Sequence, residues 1–281
     1  EALDSAEKYS MSKKNSTQLP AMLHPRALSA SCVYNNNVII AGGHDGQSGT
    51  DSIEVLNVNQ LPLRWTLFPG KLPMKLRAHV VVVYQNKLLV IGGGYDDKVS
   101  DAIHEVSLTP PYTSQLLERM PTPRRNHSAE LVNGKVYILG GMTTKHPKDA
   151  TDSVLVYDLV KSELKPCTPL PYAVCAMSTV LWGNIIIVVG GRKKNYEDIS
   201  DVIMYDTETG RSQILPSLIH KRSGCAAVLV NDVITVMGGW NKEQKYLSAV
   251  ECFTMGSKEW VDMPGMIEKR NCVTAVVKPG Y

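Results

Sequence analysis

Arginine is the residue type whose placement in this sequence most invites chemistry. Arg26, Arg77, Arg125, Arg222 and Arg270 each stand just ahead of a run of small and apolar residues, as in Arg77-Ala78-His79-Val80 and Arg125-Asn126-His127-Ser128. A guanidinium is permanently charged and pairs bidentately with a carboxylate, so several brought together attract acidic ligands. Histidine says less. Of His24, His44, His79, His104, His127, His146 and His220, no two stand at metal-ligand spacing, and His79 and His127 fall at matching places and read as structural. Cys32, Cys167, Cys175, Cys225, Cys252 and Cys272 form no C-x-x-C pair. Their apolar flanks, as in Gly224-Cys225-Ala226, suit reduced thiols that pack as small hydrophobes, which implies a reducing cytoplasm. There is no G-x-S-x-G elbow, no Ser-x-Asp-x-Gly-x-Thr box and no glycine-rich phosphate loop opening a helix. The sequence therefore predicts no metal, no cofactor and no enzyme, and binding in place of turnover.

Composition narrows the partners. Hydrophobic content of 43% with 20% charged residues excludes a disordered or collagen-like chain. A net charge of +3, with Lys and Arg spread along the chain, gives no footprint for nucleic acid. The longest apolar runs, such as Ile185 to Val189, fall far short of the roughly eighteen residues that span a bilayer, so no membrane partner is expected. The chain opens on Glu1 with no signal-like segment after it, and reads as a domain excised from a longer protein.

The elements that must position the arginines come from a repeat. An apolar run ending in Gly-Gly recurs at Gly42-Gly43, Gly92-Gly93, Gly140-Gly141, Gly190-Gly191 and Gly238-Gly239, at spacings of 50, 48, 50 and 48 residues. Before each pair comes a first strand, then a turn of Asn, Asp or Gly, such as Asn133-Gly134, that tolerates the positive φ of a tight hairpin. After each pair, a polar loop leads to a third strand, clearest in Ser153-Val154-Leu155-Val156-Tyr157-Asp158 and Asp201-Val202-Ile203-Met204-Tyr205-Asp206, and then to a short fourth. Four antiparallel strands in about fifty residues describe the blade of a β-propeller. Continuous apolar runs such as Val80-Val81-Val82-Val83 suit strands buried on both faces by stacked blades.

The repeat resembles that of the Kelch family over nearly the whole chain. In that family an aromatic after the Gly-Gly strand is followed seven positions on by Trp, and Phe253 with Trp260 match. Tyr157 is followed at that offset by Leu164, Tyr205 by Ser212 and Tyr9 by Ser16, and Trp65 follows a third strand carrying Leu56. At the ends, Ser5 to Ser10 reads as a third strand, Ser16 to Pro20 as a fourth and Arg270 to Val277 as a first. The expectation is an all-β, six-bladed Kelch propeller in one domain, 1–281. Its blades fall near 27–69, 78–119, 126–168, 174–216, 223–263 and 272–281 with 1–20. The sixth is closed by N- and C-terminal strands and lacks its second strand. Such closure is similar to that of the Kelch domains of BTB-Kelch adaptors of cullin ubiquitin ligases.

Rotational symmetry then predicts a ring of Arg26, Arg77, Arg125, Arg222 and Arg270 around one mouth of the channel, interrupted in the fourth blade by Pro171-Tyr172-Ala173-Val174. The resemblance places the residues after each Gly-Gly at the same mouth: His44, Gly94 with Tyr95, Met142, Arg192 and Trp240. They differ from blade to blade, as recognition residues do, and Trp240 and Tyr95 are of the type that anchors interfaces. The expected function is protein recognition of an acidic or extended segment at this mouth, as the substrate-recognition domain of a cullin ligase adaptor whose ligase components bind through regions outside this chain. A cytoskeletal Kelch scaffold, or a Kelch-like sugar mutarotase or oxidase, are the alternatives.

Overall fold

Apolar β-branched runs broken by turn residues leave the chain little choice but strands. The computed structural model describes residues 2–278. It opens on a hairpin of β1 (Ala6–Ser10) and β2 (Asn15–Leu19). Blade 1 comprises β3 (Ala30–Tyr34), β4 (Asn37–Ala41), β5 (Ile53–Asn57) and β6 (Trp65–Leu67). Blade 2 has β7 (Val80–Tyr84) and β8 (Lys87–Ile91), a small hairpin of β9 (Gly94–Tyr95) and β10 (Lys98–Val99), then β11 (Ala102–Ser107) and β12 (Ser114–Arg119). Blade 3 is β13 (Ser128–Val132), β14 (Lys135–Leu139), β15 (Val154–Asp158) and β16 (Glu163–Cys167). Blade 4 is β17 (Ser178–Trp182), β18 (Ile185–Val189), β19 (Val202–Asp206) and β20 (Ser212–Leu215). Blade 5 has β21 (Ala226–Val230) and β22 (Val233–Met237), a hairpin of β23 (Trp240–Asn241) and β24 (Lys245–Tyr246), then β25 (Val250–Thr254) and β26 (Val261–Met263). Each blade is a four-stranded antiparallel sheet in simple up-and-down order. Among the described residues the only helical piece is a 3-10 turn, Pro147–Asp149.

The blade count corrects the sequence expectation. There are five blades, not six. In the remaining sector β1 pairs only with β2, and residues 271–278 belong to no strand, so the N- and C-terminal pieces share no sheet. Of the blade expected at 272–281 with 1–20, residues 1 and 279–281 lie outside the described residues. The physical reason is that the expected first and third strands were to be joined by a second, and no such strand lies between them among the described residues.

The core lies between blades. Leu72, Val81 and Val90 pack with Ile39 and Ile53 across blades 1 and 2. Tyr137, Val154, Ile186 and Tyr205 do the same across blades 3 and 4. Trp260, which follows the expected pattern, and Trp65, which departs from it, both tie neighbours together: the indole N–H of Trp260 donates to Pro216 O at 2.8 Å, and that of Trp65 to Pro20 O at 3.0 Å. Close approach at the centre explains the paired glycines. Gly42 and Gly43 have φ of +62° and +102°, and a Cβ on Gly42 would lie 2.6 Å from both His79 Cε1 and Leu76 O. His79 and His127 fill that gap as buried wedges, as the sequence reading expects, with Met177 in the same place one blade further on.

Candidate functional site

The channel is lined by the chain just ahead of each first strand. There Leu28, Ala78, Asn126, Ala176, Gly224 and Cys272 all take a left-handed φ, between 49° and 63°. The Ala78, Asn126, Ala176 and Gly224 amides donate to the carbonyl of the equivalent residue one blade earlier, at 2.7, 3.0, 2.8 and 2.7 Å. This backbone ring fixes where the two residues before each member point.

Two residues before the turn, the side chain runs back into its own blade. Arg26 Nη1 donates to Gly42 O at 2.8 Å and Ser52 O at 3.0 Å, and Nη2 reaches Glu54 Oε1 at 2.7 Å, with both side chains fully buried. Arg222 repeats this with Gly238 O at 2.8 Å, Ala249 O at 3.1 Å and the buried Glu251. Arg270 Nε donates to Glu7 Oε1 at 3.0 Å and its Nη1 to Ser5 O at 3.0 Å. Arg124, not singled out in the sequence, holds the same place in blade 3, with Ser153 O at 2.8 Å and, among the described residues, no carboxylate partner. These are staples between the second and third strands.

One residue before the turn, the chain faces the rim. Here stand Ala27, Arg77, Arg125, Cys175 and Ser223, which bridge to His44, Gly94, Met142, Arg192 and Trp240. The residues after each Gly-Gly therefore do line the same mouth, but the predicted arginine ring divides. Arg26 and Arg222 are buried, and Arg270 is half-buried, in staples away from the rim, and of the five only Arg77 and Arg125 reach it. The cause is a shift of one residue: the staples lie sixteen positions before the first glycine, whereas Arg77 and Arg125 lie one position closer.

Arg77 and Arg125 sit side by side. A Cβ on Gly94, the residue bridged to Arg77, would lie 3.3 Å from Arg125 Nη1. The Nε atoms of both are buried without a hydrogen-bond partner, and among the described residues neither has a carboxylate within 4.0 Å. Burial, and secondly the charge of Arg77, hold the Arg125 guanidinium below its usual range. Arg77 Nη2 donates to Asp96 O at 3.3 Å.

Further round the rim, Arg192 Nε donates to Asp198 Oδ1 at 2.9 Å, and its guanidinium lies 4.7 Å from the Trp240 ring. Lys245 Nζ lies 5.6 Å from that ring. Burial pushes the Cys272 thiol up, opposed by the charges of Arg192 and Arg125, which places it inside the same field. Met142 is buried with Ala150 and Cys175, and Tyr95 packs half-buried against the core of blades 1 and 2, so both form the floor of the rim. His44 is half-buried, its Nδ1 accepting from Gly46 N at 3.0 Å. Beyond, the loops after Tyr95 and Met142 enclose a groove of about 410 Å³ lined by Asp97, Val99, Thr143, Thr144, Lys145 and His146. Cys175, Asp198, Lys245 and Cys272 escaped the sequence reading. Cys175 and Cys272 could have been found by counting from the Gly-Gly register.

All six cysteines are free, and among the described residues no three His, Cys, Asp or Glu side chains cluster closely enough to hold a metal. Among the described residues no helix is long and apolar enough to cross a membrane. Five Gly-Gly strands stand one to each of the five blades. Residues 109–277 match the KLHDC2/KLHL20/DRC7 Kelch-repeats domain, and residues 25–60 match the Kelch motif.

The chain belongs to the Kelch-repeat family. Similar Kelch proteins include Kelch-like protein 40a of Danio rerio, 27% identical over 41% of this chain and 20% of that protein. Kelch-like protein 40 of Xenopus laevis is 25% identical over 59% of this chain and 28% of its own length. Beta-scruin of Limulus polyphemus is 26% identical over 65% of this chain and 22% of its own length. The chain thus matches between a fifth and somewhat more than a quarter of each of these relatives. A solved structure of YjhT superposes with a TM-score of 0.79 over 91% of this chain and 88% of that one, at 16% identity, which supports the propeller fold alone. As a Kelch propeller of this kind, the domain is a protein-interaction module.

Proposed function

We propose that the rim binds an extended, acidic segment of a partner protein, with Arg77 and Arg125 holding its carboxylates. One observation carries this reading: two adjacent guanidiniums, each with a buried Nε that has no hydrogen-bond partner, stand at the rim with no carboxylate within 4.0 Å among the described residues, while the staples of blades 1 and 5 have one. Two adjacent like charges without a carboxylate gain from an acidic ligand. The variable rim residues, with Arg192 stacked on Trp240 further round the rim, supply the specificity such a ligand needs. The domain on this reading binds without turnover and serves as the substrate-recognition part of a cullin ubiquitin ligase adaptor, a role supported by its likeness to Kelch-like proteins.

The test is the double variant Arg77→Ala/Arg125→Ala, assayed by fluorescence anisotropy against the strongest acidic binder from a peptide array. Charge-assisted hydrogen bonds are worth about 1.5–3 kcal/mol each, so affinity should fall at least about tenfold while the melting temperature barely moves. Unchanged affinity, or losses of stability and affinity in step, would refute the reading.

A further inference from the structure

The residue after each Gly-Gly pair bridges to the rim residue of its own blade, and in blades 1, 3, 4 and 5 it carries a large side chain: His44, Met142, Arg192 or Trp240. In blade 2 that residue is Gly94. Its φ is not left-handed, so the backbone does not demand glycine there. Space does. A Cβ on Gly94 would lie 3.3 Å from Nη1, 3.4 Å from Cζ and 3.6 Å from Nε of Arg125, so the guanidinium from the next loop lies where a side chain would otherwise stand. Arg77 is held to the same residue by two backbone bonds, Arg77 N to Gly94 O at 3.0 Å and Gly94 N to Arg77 O at 2.7 Å. The two cations share one bare stretch of backbone.

Around Gly94 the donors outnumber their acceptors. Among the described residues the only side-chain bond of either arginine is Arg77 Nη2 to Asp96 O at 3.3 Å, and both Nε atoms are buried without a partner. Lys145 bonds Asp97 and is the first cause that holds its carboxyl below the usual range, with the charge of Arg77 a lesser one. Arg192, further round, has a carboxylate of its own in Asp198. One ligand carboxylate matches a single guanidinium fork with its two oxygens and its one charge, which leaves the second cation uncompensated. A phosphate monoester brings a charge of about −1.5 to −2 and three acceptor oxygens on one group, and so serves two forks at once. Arginine clusters recognise phosphorylated segments on this principle.

We infer, resting on the reading of the rim as a binder of acidic segments, that Arg77 and Arg125 on either side of Gly94 form a site for one phosphorylated residue of the partner segment. Phosphorylation of the partner then switches it onto the rim. Gly94 is a positioning residue, which leaves the guanidinium of Arg125 room to lie beside Arg77.

Three matched peptide libraries test this, identical except for one fixed residue: phosphoserine, glutamate or serine in an otherwise degenerate acidic sequence. In fluorescence anisotropy the best phosphoserine peptide should bind at least about tenfold tighter than its glutamate counterpart, because a second charge-assisted fork is engaged, and the serine peptide should be weakest. Arg125→Lys keeps the charge and loses the fork, and Gly94→Met gives blade 2 the side chain that blade 3 carries in Met142. Each should bring the preference for phosphoserine over glutamate below about threefold while the protein stays folded by its melting temperature. A preference that survives in both variants overturns the inference, and so does inorganic phosphate that binds as tightly as the phosphopeptide. Glutamate peptides that bind and depend on Arg77 and Arg125, with no gain from phosphoserine, overturn the phosphate site and leave the acidic reading standing. Binding by none of the libraries overturns both.

Discussion

Arg124 and Arg125 are neighbours in sequence and belong to different regions of the molecule. Arg124 turns into blade 3, where Ser153 O and Oγ take its guanidinium at 2.8 Å each, and burial draws it down to about 10, still charged near neutral pH. Arg125 turns to the rim and meets Arg77. The same contrast runs round the ring. In blades 1 and 5 the inward arginine has a buried carboxylate, Glu54 or Glu251. In blade 3 the third-strand residue at that place is Leu155, and no carboxylate is supplied. Inward arginines hold a blade together, whereas Arg77 and Arg125 at the rim have no carboxylate within 4.0 Å among the described residues. One step along the chain decides which, because a left-handed turn follows and fixes both directions.

The staple should give the largest effect. Arg222→Ala leaves Glu251, fully buried, without its guanidinium, and breaking a buried pair from one side costs about 3–5 kcal/mol. Urea unfolding should show that loss, whereas Arg125→Ala should change stability by less than about 1 kcal/mol. A second change, Glu251→Leu, gives blade 5 the Arg-free version of the blade 3 arrangement and should recover part of the loss. Equal costs at Arg222 and Arg125 would erase the distinction between the two regions.

A pH-dependent cost comes next, from the wedges that follow the rim. His79 and His127 are buried with both ring nitrogens unbonded, and burial lowers them to about 4 and about 3 from 6.5. Their folded values lie below their unfolded ones, so the stability they contribute is complete above about 6.5 and is lost as pH falls toward 4. Between pH 7.5 and 5.5 the pair should cost about 2–3 kcal/mol in unfolding free energy. His79→Met/His127→Met, which copies Met177 of blade 4, should flatten that dependence. A slope unchanged in the double variant would assign the acid sensitivity elsewhere.

The Gly-Gly register was legible because its cause is local and severe: a positive φ and a neighbouring backbone that leaves no room for Cβ recur at each of five pairs. The arginines were misaligned because their own type was used as the marker. Counted from Gly92, Leu76 and not Arg77 falls on the staple, and both residue types suit a buried position. The bridges made by the post-glycine residues, one residue past the glycines, follow from the same register. The sixth blade failed for a non-local reason. Val273 to Val277 has the composition of a strand, but a strand is defined by a partner, and that segment has none among the described residues. The strands read at Ser5 to Ser10 and Ser16 to Pro20, which are local neighbours, form the hairpin of β1 and β2.

The smallest expected effect tests how far the rim's behaviour extends beyond its two arginines. Arg192 faces the mouth like Arg125 but carries its own carboxylate, Asp198, and shares the face of Trp240 with Lys245. A partly neutralised cation has less to gain from an acidic ligand, and a cation over an aromatic ring at a half-exposed site is worth about 0.5–1 kcal/mol. Trp240→Leu should therefore lower stability by no more than about 1 kcal/mol and weaken the acidic peptide by about threefold, since the ring acts by holding Arg192 and Lys245 in place. Calorimetric titration against the tenfold loss at Arg77 and Arg125 ranks the two parts of the rim. A larger loss at Trp240 than at the arginine pair would make the aromatic the anchor and the carboxylate contact secondary.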